Sequence, residues 1–368
     1  MPGAAAWRGR RVLVTGHTGF KGGWLSIWLA SLGAKVAGYA LDPPTQPSFF
    51  ESARVADVLA DHRGDIRDTA ATRRAVEAFD PEVVFHLAAQ PIVKEGYRAP
   101  VDTYATNVVG TASVLDACRH APALAAIVVV TTDKCYENRE WERGYVEGDA
   151  LGGHDPYSNS KACAELVSDA FRRSYFAGRT PSVGLATARA GNVIGGGDWA
   201  ADRLVPDLVR AAMAGSEALI RNPRATRPWQ HVLDPLAGYL LLAEALLREP
   251  ARHSEAWNFG PDAGGDRAVA EVVERLAARW QGRPRWRLDG VTHPHEAGKL
   301  MLDSAKAHAR LAWKPRLALD DAVRLTADWY AQYMAGGADL RAESESQVRY
   351  YSSLAQKRPN PQSAPESR

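Results

Sequence analysis

Hydrophobic positions along the chain fall into two alternating rhythms. Short runs rich in β-branched residues, at Arg11–Thr15, Lys35–Leu41, Val83–Ala88 and Ile127–Thr132, are separated by stretches with apolar residues at helical spacing, at Gly22–Leu32, Asp68–Phe79 and Asn107–Cys118. That alternation predicts an α/β fold with a doubly wound parallel sheet. The runs are almost continuously apolar, as strands covered on both faces must be, and Ile127–Val130 is the plainest case. A short strand is expected before Asp65, and Ser182–Ala188 extends the sheet. After Gly191 the rhythm breaks into loops rich in glycine, tryptophan and proline, joined by helices such as Leu204–Ala214 and Pro235–Leu247. We therefore expect a first domain over residues 1–182 and a smaller, interleaved substrate-binding lobe over 183–356 that sends segments back to the sheet. The polar, proline-rich tail 357–368 is expected to be disordered.

Composition narrows the class only by exclusion. A net charge of +2 arises from 45 cationic and 43 anionic side chains. They are spread without the basic tract that nucleic acid or an anionic membrane selects. The odd set Cys118, Cys135 and Cys163 lacks CxxC spacing, so neither a disulfide framework nor a metal site is expected, and a reducing, cytoplasmic setting fits. No run approaches the roughly 20 apolar residues of a membrane span.

The chemistry begins at Gly16-His17-Thr18-Gly19-Phe20-Lys21-Gly22, a GxxGxxG loop directly between a strand and a helix. Glycines there let the backbone approach a pyrophosphate, whose charge then meets the positive end of the helix. This is the signature of a Rossmann domain holding a nicotinamide dinucleotide. Lys21 is placed to reach a phosphate, and His17 is expected to tune cofactor affinity. Asp65 and Ile66 are placed to hold the adenine. At the end of the second strand, Tyr39–Pro44 offers no Arg or Lys to a 2′-phosphate, which favours NAD over NADP. Tyr157 and Lys161 stand four apart in a helical stretch, Tyr157–Phe176, and so share one face. An ammonium beside the phenol, together with the nicotinamide ring, is expected to pull the tyrosine pKa from about 10 toward working pH. A hydroxyl-bearing strand end, Thr131-Thr132, faces the same place.

GxxGxxG, His86-Leu87-Ala88-Ala89-Gln90, Asn107 and YxxxK stand in the order and spacing of the extended short-chain dehydrogenases that act on nucleotide sugars. The chain resembles that family over roughly residues 10–330. The strings at 15–22, 131–138, 151–165, 189–199 and 227–236 are similar to those of its dehydratases that take CDP-glucose. The resemblance implies an NAD-dependent lyase that converts CDP-glucose to CDP-4-keto-6-deoxyglucose, on routes to surface polysaccharides. It also implies cofactor contacts at Leu87, Ala88, Ala89 and Asn107, substrate contacts at Gln90, Asn192 and His295-Glu296, and a homodimer paired through helices 103–118 and 157–176.

Such a dehydration oxidises C4, eliminates water across C5 and C6, and returns hydride to C6. It needs an acid and a base beyond Tyr157, and Thr132-Asp133-Lys134 is where they are expected. Thr132 holds the C4 oxygen and Asp133 is the acid. Lys134 is either the base or only a stabiliser of the enolate, because relatives acting on dTDP-glucose carry glutamate there. Glu137 is the fallback base. Cations for the substrate pyrophosphate are expected among Arg189, Arg203, Arg221, Arg224 and Arg227, with Arg227 first. Trp199 and Trp229 either stack on the base or pack the core. The competing readings are a dehydratase or epimerase of another nucleotide sugar, and a dinucleotide-binding regulator without chemistry.

Overall fold

The computed structural model describes residues 1–262, 266–280, 284–290 and 299–354. Seven parallel strands form the central sheet: β1 (Arg11–Thr15), β2 (Lys35–Ala40), β3 (Ala60–Arg63), β4 (Val83–His86), β5 (Ala126–Val130), β6 (Gly184–Ala190) and β7 (Ala256–Phe259). Their spatial order is β7-β6-β5-β4-β1-β2-β3. The reversal at β1 and β4 opens a crevice above their carboxyl ends, the position at which doubly wound sheets bind ligands. β7 comes from the second half of the chain and pairs with β6, Trp257 opposite Ala188. A three-stranded sheet of Asn192–Ile194, Thr226–His231 and Asp266–Ala268 stands beside the crevice.

β5 reads Ala-Ile-Val-Val-Val with every residue buried. β3 departs from that pattern. Its Ala-Asp-His-Arg is exposed throughout, because it is the edge strand with one neighbour, β2. Several strands also end earlier than the apolar runs suggest. β5 stops at Val130 because the Thr132 hydroxyl accepts a hydrogen bond from the Lys134 amide and caps a short 3₁₀ turn, Asp133–Cys135. The third helical stretch begins earlier than expected, at Pro100, and passes through a π-helical turn, Ala105–Val109, before continuing over Gly110–Cys118.

The helix that follows the glycine loop, α1 (Phe20–Ser31), is apolar nearly all round and buries Trp24, Leu25, Ile27 and Trp28. Trp24 stacks on Phe49 with ring centroids 5.1 Å apart and donates to the Gly196 carbonyl at 2.9 Å. The C-terminal helix Leu340–Ser353 closes over α1 through Trp28 against Tyr351. The dinucleotide loop is thus fixed by residues hundreds of positions away. Among the described residues no helix is long and apolar enough to cross a membrane.

Candidate active site

The glycine loop is as tight as its composition demands. Gly16 has φ +78°, and a Cβ there would lie 2.6 Å from the Ala88 amide nitrogen. One on Gly22 would lie 2.1 Å from the Gly16 carbonyl oxygen. Side chains at these points would fill the cradle, so the loop presents bare backbone to the crevice, as a pyrophosphate requires. Thr15 and His86 lock this floor: their side chains meet at 2.7 Å, and burial drives the His86 pKa down to about 3.

From the loop a single cleft of about 1520 Å³ runs to Arg227. It is lined by Gly16, Thr18, Gly19, Phe20, Lys21 and Gly22, by Asp65, Ile66, Leu87, Ala88 and Ala89, and by Thr132, Lys134, Tyr157, Lys161, Asn192, Arg203, Arg221 and Arg227. Distant motifs therefore open onto one space. The second catalytic helix, α2 (Pro156–Phe171), starts on Asp155, whose carboxylate accepts from the Ser158 amide at 3.0 Å. Tyr157 and Lys161 lie on its buried face. The Lys161 ammonium donates to the Val130 carbonyl at 3.1 Å. Burial brings its pKa down to about 8, with Glu165 acting the other way.

The expectation of a tyrosine poised near neutrality is not met by the protein alone. Burial pushes Tyr157 up to about 12, and the Thr132 hydroxyl and Arg203 only partly oppose it. Lys161 is engaged with the Val130 carbonyl, so Tyr157 is a phenol here. Thr131 is likewise not a site hydroxyl, because it donates to the buried carboxylate of Glu165. Asp133 is buried. Its carboxylate accepts from Thr132 at 2.8 Å and lies 3.6 Å from the Lys134 ammonium, which also donates to Asn192 at 3.4 Å. A Cβ on Gly191, which lines the cleft, would sit 3.1 Å from Asp133 Oδ2.

Several expected contacts are redirected. The Gln90 amide is turned away from substrate, donating to Thr103 at 2.9 Å and accepting from the Ile92 amide. Asn107 is buried, with its amide bonded to the Gln90 backbone and to Ser160, and it does not line the cleft. His17 lies wholly buried under the loop, 2.7 Å from Asp61. Arg189 does not reach the cleft: it is 3% exposed and paired with Glu165 at 2.8 Å. Both Asp65 oxygens accept from Arg67. Glu137 pairs with Arg139 at 2.9 Å. Trp199 and Trp229 touch the cleft but are buried, the former against Tyr330 and Tyr333. His295 and Glu296 lie outside the described residues, as does the tail from 357.

Two cations stand in settings that the sequence did not indicate, Lys21 as a residue already expected near a phosphate and Arg63 as one not singled out. Lys21 is far from a solvated surface lysine; it sits within electrostatic reach of Asp133, Lys134, Lys161 and Arg203 at the catalytic end of the cleft. At the other end, Arg63 of β3 donates to the Leu41 carbonyl at 3.2 Å, beside the segment that lacked any cation. Its neighbours Asp61 and Asp42, at 2.8 and 3.6 Å, offset that charge. The signal for Arg63 was the β2–β3 register, which sets Arg63 opposite Ala40.

A parallel sheet in this order, carrying a glycine cradle and a Tyr-Lys helix on one cleft, defines a nucleotide-sugar-modifying dehydrogenase fold. The sequence model of GDP-mannose 4,6 dehydratase matches residues 13–326, and the chain belongs to that family. It is 49% identical to the CDP-glucose 4,6-dehydratase of Salmonella typhimurium, over 94% of this chain and 97% of that protein. With a dTDP-glucose 4,6-dehydratase of Xanthomonas campestris pv. campestris the identity is 27%, over 86% and 92%. In fold it is similar to UDP-glucose 4-epimerase of Thermotoga maritima solved with UDP-glucose, at TM-score 0.74 and 21% identity, covering 88% of this chain and 99% of that one. The dTDP-glucose 4,6-dehydratase of Bacillus anthracis, solved with NAD, gives TM-score 0.71 and 22% identity, covering 88% and 96%.

Proposed function

We propose that this chain is an NAD-dependent lyase that converts CDP-glucose to CDP-4-keto-6-deoxyglucose and water. The observation that carries the reading is the meeting, on one cleft, of Tyr157 and Lys161 with the Thr132-Asp133-Lys134 turn. The relative of 49% identity supplies the nucleotide and the sugar. NAD rather than NADP suits an adenosine end where two carboxylates face Arg63.

The glycine cradle of Gly16, Gly19 and Gly22 would hold the dinucleotide, which when bound would supply a reversible hydride acceptor for C4 and C6. The residues manage the protons. Thr132 holds the C4 oxygen, and Tyr157, once the bound cofactor's positive ring lowers its pKa, accepts the C4 hydroxyl proton. The new ketone makes C5–H acidic, and Lys134 is assigned to remove that proton. Asp133 protonates the departing C6 hydroxyl, which leaves as water. Lys134 then returns a proton to C5 as C6 is reduced, and the proton held by Tyr157 passes through solvent to restore Asp133. The net change is loss of one water, with the cofactor unchanged. Arg203, Arg221 and Arg227 line the cleft and are assigned to the substrate pyrophosphate.

The subunit is further proposed to form a homodimer. Helix Pro100–Cys118 packs beside α2, with the Tyr104 hydroxyl donating to Asn159 at 2.8 Å. Their outer faces leave Val101, Val109, Leu166 and Tyr175 exposed.

Incubation with NAD and each of CDP-glucose, dTDP-glucose, UDP-glucose and GDP-mannose tests the activity, read as the 4-keto-6-deoxy chromophore in alkali. We expect product from CDP-glucose. Turnover of a different nucleotide sugar alone would remove the cytidine assignment, and a C4 epimer with no deoxy product would remove the dehydratase.

A further inference from the structure

Arg189 and Glu165 form an ion pair with both partners 3% exposed. A pair so deeply buried is costly to desolvate and is not needed for packing alone. Its partners give it a purpose. The Glu165 carboxylate stands one helical turn beyond Lys161 on α2, and it accepts hydrogen bonds from Thr131, from Thr187 at 2.6 Å and from Arg189. Arg189 in turn donates to the Tyr136 hydroxyl at 2.8 Å and to the Glu147 carbonyl at 3.1 Å. The Tyr136 hydroxyl donates onward to Asn258 of β7 at 2.8 Å. Thr131 and Tyr136 are the two flanks of the segment that carries Thr132, Asp133 and Lys134. One buried ion pair therefore pins both ends of the acid and base turn to the helix that carries Tyr157 and Lys161.

We propose that the Glu165–Arg189 pair, acting through Thr131 and Tyr136, is a positioning device that sets the distance between the oxidation dyad and the elimination dyad. The inference rests on the dehydratase reading. Oxidation at C4 uses Tyr157 and Lys161 on α2 and Thr132 at the near flank, where the Thr131 amide is held by the Ala188 carbonyl of β6 at 2.9 Å. Elimination needs Asp133 and Lys134 at C6 and C5 of the same sugar, and their placement depends on the far flank, which Arg189 holds by donating to the Tyr136 hydroxyl and by lying 4.9 Å over its ring. A misplacement of about 1 Å at reacting groups is worth up to roughly a hundredfold in rate. Elimination is then the step that loosening Tyr136 slows.

The test is Tyr136→Phe, which removes that hydroxyl and keeps the ring stacked on Tyr145, 5.1 Å between centroids. Rapid mixing of the NAD-loaded enzyme with CDP-glucose separates appearance of reduced cofactor from formation of the 4-keto-6-deoxy sugar. We expect elimination to fall at least about tenfold relative to oxidation, so that reduced cofactor accumulates. Amide hydrogen exchange without substrate should quicken across residues 132–137 and stay unchanged across 157–165. Arg189→Lys, which keeps the charge but loses the fork, should give the same ordering. Equal loss of both steps, loss of neither, or exchange that quickens in both segments or in neither, overturns the proposal. If the wild-type chain reduces no cofactor with CDP-glucose, the substrate assignment fails first. The same ratio is then read with the nucleotide sugar that it does use.

Discussion

Lys21 shows how far one residue's setting can depart from its place in a motif. It stands in the first turn of α1, facing Asp133 and Lys134 from the turn after β5, Lys161 from α2, and Arg203 from the start of helix Leu204–Ala214. Burial and then Arg203 lower its pKa from 10.5 to about 7, against the pull of Asp133. The folded chain thus holds fewer protons at this group than the unfolded chain between pH 7 and 10.5. Its penalty on stability is full below pH 7 and fades as pH rises toward 10.5. A bound pyrophosphate favours the ammonium and reverses the shift, so NAD binding takes up a proton above pH 7. We expect NAD affinity, measured by calorimetry, to weaken from pH 7 to 9 by at most about tenfold per unit. Lys21→Met should flatten that slope, whereas an identical slope in both proteins would remove Lys21 from the cofactor site.

Among the elements, α2 carries Tyr157 and Lys161, to which oxidation is assigned, and its start is set by local rules. Asp155 caps it and Pro156 occupies the first turn, so Tyr157 leaves the helix at a fixed height above β5. Asp155→Ala should lower stability by about 1 kcal/mol in denaturant titration and reduce kcat more than KM. Unchanged stability would show that the cap contributes nothing. The two catalytic groups and their shared face were legible because a four-residue spacing has one meaning on a helix. The state of Tyr157 was not, since it depends on burial and on where Lys161 donates. For Gln90 and Asn107 the motif indicated the region but not the protein partners of their amides. Their motif fixes proximity to the cofactor wall, while the direction of an amide is set by Thr103, Ile92 and Ser160.

At the scale of the whole molecule, the exposed apolar stripe on the paired helices is the feature a lone subunit explains least. Val101 is 79% and Leu166 59% exposed. Charges there cannot disturb a core they do not enter. Val109→Glu combined with Leu166→Glu should yield a folded monomer by sedimentation, and an unchanged sedimentation coefficient would move the interface elsewhere.

Period and order along the chain were enough to predict the parallel sheet, the glycine cradle after β1 and the Tyr-Lys pair, because each is marked by residue spacing over a few positions. Tertiary structure alone decided which cations serve the site. Arg189 and Arg203 were expected alike at the substrate pyrophosphate, and nothing in the sequence marked Arg63. Folding buries the first against Glu165, sets the second near Tyr157, and brings the third beside Leu41. Charge acts through space, and the distances that decide its effect are set by strands and helices far apart in the chain.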